Sequence, residues 1–155
     1  MTSVTNRATV QGIDKLGESY TIWYTSSIKD VPELYTTVLR QYANLIDAGH
    51  TPPGSLAPFA ANNATIYIKY NDVIAASITY RIDNNLAWII FTSVNEQYQG
   101  RGLYAILHKS FEFSAKRNGC VRAGSLLHVD NSRIIEIAKI NGYTPEFVRM
   151  TKKLS

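Results

Sequence analysis

Residues 94–104, Val94-Asn95-Glu96-Gln97-Tyr98-Gln99-Gly100-Arg101-Gly102-Leu103-Tyr104, constrain the fold more than any other segment. A β-branched and aromatic run ends at Val94, two glycines follow, and a helical period of apolar residues begins at Leu103. Leu103, Ile106, Leu107, Ser110, Phe111 and Ser114 share one helical face, and Asn118-Gly119 supplies the stop. Val121 to Val129 reads as the next strand. Strand, helix and strand in this order make a βαβ unit, which calls for parallel strands and a right-handed crossover. The first N–H groups of such a helix have no intrahelical partner, and its dipole places partial positive charge there. Glycines without side chains let a ligand approach the backbone. The junction therefore suits an anion such as a pyrophosphate, and Arg101 can add a charge-assisted contact. No Gly-Lys-Ser/Thr follows, which excludes a Walker loop, and a dinucleotide fingerprint lacks its third glycine.

The remaining elements can be read around this junction. Residues 1–17 are polar without a sustained period, a loose arm or one short extra strand ahead of a single domain over 18–155. Tyr20 to Thr25 is a strand. Asp30-Val31-Pro32-Glu33 is a helix start, with Asp30 as N-cap, Pro32 in the first turn and Glu33 at the capping-box position. Leu34, Val38, Tyr42, Leu45 and Ile46 recur at helical spacing to about Ala48. Thr51 to Gly54 is a loop, and residues 55–61 read as a short helical turn. Ala64 to Tyr70, Val73 to Ile82 and Leu86 to Val94 are strands joined by tight turns, hence an antiparallel meander. After Val129, Asp130-Asn131-Ser132 caps a helix through about Ile140, closed by Asn141-Gly142. Tyr143-Thr144 and Phe147 to Lys153 read as short terminal strands. The order is that of an α/β chain with a mixed sheet.

Composition removes several function classes. The 155 residues amount to one ordinary domain. A single cysteine, Cys120, excludes an internal disulfide and a thiolate metal cluster, and no His/Cys/Asp group has metal-ligand spacing. There is no apolar run of membrane-spanning length and no signal-peptide core at the N-terminus, so a cytoplasmic protein without a membrane role is expected. Residues 1–100 carry 6 Lys/Arg and 8 Asp/Glu, whereas residues 101–155 carry 10 and 4. An anion would be drawn to the C-terminal third, either a phosphate-bearing cofactor or a nucleic-acid backbone.

Gln97-Tyr98-Gln99-Gly100-Arg101-Gly102 resembles the central Gln/Arg-x-x-Gly-x-Gly/Ala motif of the GNAT acyl-CoA N-acyltransferase superfamily. Asn131, opening the next helix, and Gly142-Tyr143 after it have the spacing of a second family feature, and the element order agrees over roughly residues 18–154. The resemblance implies a mixed, mostly antiparallel sheet with a central splayed parallel pair, residues 86–94 and 121–129, flanked by helices. It implies acetyl-CoA as cosubstrate and no metal. Backbone near Phe91, Thr92 and Val94 would pair with the pantetheine arm. Amides of Gln99, Gly100, Arg101, Gly102, Leu103 and Tyr104 would hold the pyrophosphate, and Asn131 would touch the cofactor arm. The implied reaction is direct attack of an amine on the thioester, with a base for the amine and an acid for the departing thiolate.

The sequence departs from the family at the catalytic side chains. The position aligned with the frequent Glu is Leu86, and the position aligned with the frequent Tyr is Ala138. His128, at the end of the second splayed strand, is a candidate base or else a packed or surface histidine. Ser93, Thr92 and Ser125 can position a water or serve as plain strand hydroxyls. Tyr104 can bond a phosphate or simply pack. His50 and His108 have no visible partner. Only Thr144-Pro145-Glu146 separates Tyr143 from the last strand, which predicts an open acceptor side suited to a bulky or macromolecular substrate unless residues 48–62 roof it. The leading reading is an N-acetyltransferase acting on an amine of a small molecule or protein, with a homodimer in keeping with the family. The others are a CoA-binding module with weak catalysis, and a nucleic-acid-binding protein using Lys109, Lys116, Arg117, Arg122, Lys152 and Lys153.

Overall fold

The computed structural model describes residues 6–48, 58–60, 62–125, 132–146, 150 and 152–154. Among the described residues, six strands form one sheet in sequence order: β1 (Asn6–Ile13), β2 (Ser19–Thr25), β3 (Ala64–Tyr70), β4 (Val73–Asp83), β5 (Leu86–Val94) and β6 (Arg122–Ser125). All neighbours are antiparallel except β5 and β6, which run parallel. The α-helices among the described residues are α1 (Pro32–Asp47), between β2 and β3, α2 (Leu103–Arg117), between β5 and β6, and α3 (Ser132–Ile140), after β6. The mixed, mostly antiparallel sheet read from the sequence is the observed one.

The meander closes with asparagines. Asn71 and Asn84 take φ of 52° and 55° in the β3–β4 and β4–β5 turns, a left-handed conformation that asparagine tolerates better than most residues. The sheet is covered on both faces, which explains why Ile74 to Tyr80 of β4 is buried at every position. On one face, α2 sets Leu103, Leu107, Phe111 and Ala115 against Tyr20, Ile22, Ile66, Ile68, Ile78 and Tyr80. On the other, α1 sets Leu34 and Val38 against Tyr67, Ile74 and Phe91. Each fully buried aliphatic or aromatic side chain of this kind contributes about 1.5–3 kcal/mol of transfer free energy.

Beyond one-residue shifts at strand ends, two readings from the sequence are corrected. Asp30 does not cap α1. It ends a 3-10 turn, Ile28–Asp30, and the N-cap is Val31, without a side-chain cap bond. Ile28 and Val31 are both buried in the α1-face core, so packing sets where the turn ends. Pro32 then occupies the first turn, where its missing N–H costs nothing, and the Tyr35 N–H bonds the Val31 carbonyl at 2.9 Å. The second correction concerns Tyr143-Thr144, which is not a strand. Gly142, at φ +89°, ends α3, and the N–H groups of Gly142 and Tyr143 bond back to the carbonyls of Lys139 and Ala138, each at 3.0 Å. This helix-ending geometry captures Tyr143 before a strand can start. The last strand read over 147–153 lies largely outside the described residues, as do most of 55–61 and the second half of the strand read to Val129. No helix among the described residues is long and apolar enough to cross a membrane.

Candidate cofactor and active site

The loop after β5 presents an array of free donors. A 3-10 turn, Glu96–Tyr98, leads from Val94 to Gly100 and Gly102, both at φ +82°. Glycine is required there, because an L side chain at that φ is strained. Gly102 is the N-cap of α2, and its carbonyl accepts the Ile106 N–H at 3.3 Å. Among the described residues, no backbone acceptor meets the N–H groups of Gly100, Arg101, Gly102, Leu103, Tyr104 or Ala105. The Gln99 amide, expected to join this set, is already used: its N–H bonds the Glu96 carbonyl at 3.3 Å, while its side chain bonds the Val94 carbonyl.

Arg101 departs from expectation. Its guanidinium turns inward instead of standing free for a phosphate. Nη1 lies 3.1 Å from Asp14 Oδ2 and 3.3 Å from Glu18 Oε2, and the group lies over the rings of Tyr70 and Tyr98 at 5.3 and 5.0 Å. Asp14 sits in the β1–β2 turn with its side chain fully buried. Oδ1 accepts the N–H groups of Leu16 and Glu18, and Oδ2 accepts the Tyr70 hydroxyl at 2.6 Å. Burial alone would push the Asp14 carboxyl up. The Tyr70 hydroxyl, the Glu18 N–H, Arg101 and the Leu16 N–H outweigh it, and the carboxyl is held at about 2. For Tyr70, burial and then the Asp14 carboxylate push the phenol up. The partner that claims Arg101 lies 87 residues upstream in a segment with no sustained pattern, so no sequence signal announced it.

Next to the loop, β5 changes its pairing. A register shift opposite Thr79/Tyr80 makes Ile90 an extra residue between Ile89 and Phe91. Among the described residues, the parallel pairing with β6 runs from Leu86↔Arg122 to Ile89↔Ser125, the last described residue of that strand. Phe91, Thr92, Ser93 and Val94 continue paired with β4 on one side. A bulge bends a strand and increases its local twist. Phe91 is buried edge-on to Tyr42 at 5.7 Å, while Thr92, Ser93 and Val94 are half-buried. The Ser93 hydroxyl donates to Gln41 Oε1 of α1 at 2.5 Å, and Gln41 Nε2 donates to Asn95 Oδ1 at 2.6 Å. This network ties the end of β5 to α1. Its 52-residue span also escaped the sequence reading.

Of the other candidates, His128 and Asn131 lie outside the described residues. Leu86 and Ala138 leave no titratable group at the two aligned catalytic positions. His108, which showed no partner in the sequence, is buried on α2. Its Nε2 lies 2.8 Å from the Tyr143 hydroxyl, and its Nδ1 lies 3.4 Å from Glu112. Burial lowers its pKa, against the opposing pull of Glu112. Burial likewise pushes the Tyr143 phenol up to about 12. Tyr104 lies parallel to the His108 ring at 6.4 Å, and burial raises its pKa. Arg122, one of the six basic residues considered for a nucleic-acid face, is spent on Glu146.

These residues fit a CoA-type ligand. Free amides of Gly100 to Ala105 match a pyrophosphate, and the extended backbone of β5 that leads to them is of the kind that pairs with an amide-bearing arm. The profile of the acetyltransferase (GNAT) family matches residues 24–143, a span holding both features. The chain belongs to the acetyltransferase (GNAT) family. Solved structures of this fold include an aminoglycoside acetyltransferase from an uncultured soil metagenomic sample in complex with trehalose. It is 13% identical, with a TM-score of 0.66 over 88% of this chain and 97% of that one. An aminoglycoside N-acetyltransferase AAC(6')-Iy in complex with CoA is 13% identical, with a TM-score of 0.63 over 86% and 99%. A putative acetyl transferase from Pyrococcus furiosus is 15% identical, with a TM-score of 0.56 over 79% and 78%. At these identities the likeness is one of fold. No curated protein matches the sequence.

Proposed function

We propose that this GNAT protein is an acetyl-CoA-dependent N-acetyltransferase acting on a primary amine of a small molecule. The observation that carries the reading is the donor array of Gly100 to Ala105 at the start of α2, within the span that the family profile matches. Acetyl-CoA supplies a thioester carbonyl for the amine to attack. The loop amides hold the cofactor's pyrophosphate, and the backbone of Phe91, Thr92 and Val94 holds its pantetheine arm. In this reading a backbone N–H of β5 near the bulge polarises the thioester carbonyl. Ser93, its proton committed to Gln41, holds a water or a cofactor group through its lone pairs and does not act as a base. His128 remains the candidate base. Solved neighbours named as aminoglycoside acetyltransferases support a small amine acceptor. Phe59, packed on Tyr35 of α1 at 4.9 Å, brings part of the 48–62 segment over the α1 face.

A second reading, a CoA-binding module with weak catalysis, is favoured by Leu86 and Ala138 at the aligned acid positions. Release of free thiol from acetyl-CoA, followed across a panel of primary amines, separates the two. Amine-dependent release that Gly102→Glu abolishes is expected. CoA binding with no release across the panel selects the module, and no CoA binding at millimolar concentration overturns both.

A further inference from the structure

The Nη1 of Arg101 is already engaged by Asp14 and Glu18, which draws its guanidinium toward the β1–β2 turn. Those two carboxylates against one guanidinium leave the β1–β2 turn with an excess negative charge close to the loop. Lys15 is the residue that offsets it. Its N–H lies 3.5 Å from the Arg101 carbonyl, which ties its backbone to the loop. Its stem lies along Gly102: a Cβ built there would meet Lys15 Cε at 3.0 Å, Cδ at 3.5 Å and Cγ at 3.7 Å. The stem thus takes the space that the missing side chain of Gly102 leaves, in the left-handed residue that caps α2. Lys15 is exposed, and its ammonium has no ion-pair partner among the described residues. The stem is positioned by the turn, the turn by Asp14, and Asp14 by Tyr70, Arg101 and two backbone N–H groups. A flexible side chain is thereby given a preferred place beside six free amides.

We infer that Lys15 binds a phosphate of the cofactor, making the β1–β2 turn the second wall of the cofactor site. This rests on the CoA reading given above. Phosphate is the chemistry recognised, and CoA offers it from its pyrophosphate and from its 3′-phosphate. Lys15→Met keeps most of the stem over Gly102 and removes the charge. Calorimetric titration of the whole protein with CoA, 3′-dephospho-CoA and acetyl-pantetheine tests the assignment. Loss of one charge-assisted contact should weaken CoA about tenfold. Acetyl-pantetheine, which lacks both phosphate groups, should bind the variant and the wild type equally, and the unfolding midpoint of the free protein should not move. A loss that persists with 3′-dephospho-CoA assigns the pyrophosphate, and a loss confined to CoA assigns the 3′-phosphate. Equal affinity of wild type and Lys15→Met for CoA, with binding abolished by Gly102→Glu, overturns the role of Lys15 alone. No CoA binding by the wild type overturns the cofactor reading and this one with it.

Discussion

Asp14 shows how one buried charge organises a functional loop. Its carboxylate accepts four hydrogen bonds, and each donor belongs to a segment that must be in place: the turn itself, β3 through Tyr70, and the phosphate loop through Arg101. A buried ion pair is weak grounds for net stability, but removing one partner leaves the other uncompensated. The carboxyl sits at about 2 in the fold against an ordinary 3.8. A depressed acid stabilises the fold at pH above its unfolded value. As pH falls from about 4 to about 2, the unfolded chain takes up the proton first and that stability is lost. Asp14→Asn is therefore expected to unfold at a lower temperature than the wild type at neutral pH, with the gap closing across this window. Thermal unfolding at a series of pH values checks it, and a gap that stays constant to pH of about 2 refutes the assignment. At this scale the sequence was least legible. The two glycines and the following helix were readable because they are contiguous. The fate of Arg101 was not, since its partners come from a turn packed alongside only once the sheet has formed.

The elements follow from local pattern where pattern and packing agree. β3 and β5 begin and end where alternation and turn residues place them, and β4 runs one residue longer than read, to Asp83. Their asparagine turns fix the pairing without help from distant contacts. α2 is the helix on which the phosphate loop depends. It has no side-chain cap, and Gly102 opens it in a left-handed conformation. Tertiary packing must therefore hold it. Phe111 is fully buried and meets Tyr80 edge-on at 5.2 Å. Phe111→Ala should cost about 3–5 kcal/mol of unfolding free energy, measured by chemical denaturation. A cost below about 1 kcal/mol would mean that the α2 face is not the core contact described. Where pattern and packing conflict, packing prevails. Asp30 has the chemistry of a cap, but the burial of Ile28 and Val31 carries the chain past it. Tyr143 has strand propensity, but the Gly142 turn and the hydrogen bond to His108 hold it against α2.

For the molecule as a whole, the charge asymmetry in the sequence is partly an internal matter. The ten cations of residues 101–155 include Arg101, spent on Asp14 and Glu18, and Arg122, spent on Glu146. What remains is a diffuse positive field, suited to drawing in a polyanionic small molecule, with local donors at Gly100 to Ala105 to hold it. This sets the expected salt response. A ligand held by one or two cations and several amides loses affinity moderately as salt rises, because the amide contacts are short-ranged. A nucleic acid bound through six or more phosphate contacts would lose about a thousandfold or more between 50 and 200 mM salt. Acetyl-CoA at a hundredfold excess over its dissociation constant should add about 2.7 kcal/mol, raising the unfolding midpoint of a domain this size by about 5–10 °C. Thermal unfolding with acetyl-CoA and with a short single-stranded oligonucleotide, each at low and moderate salt, reads the two cases together. The expected outcome is a cofactor shift that shrinks but survives the salt, with no comparable shift from the oligonucleotide. An oligonucleotide shift that collapses with salt, without any cofactor shift, would assign the basic third to a nucleic-acid partner. In that event the Gly100-Arg101-Gly102 loop would be a fold element that no longer holds CoA.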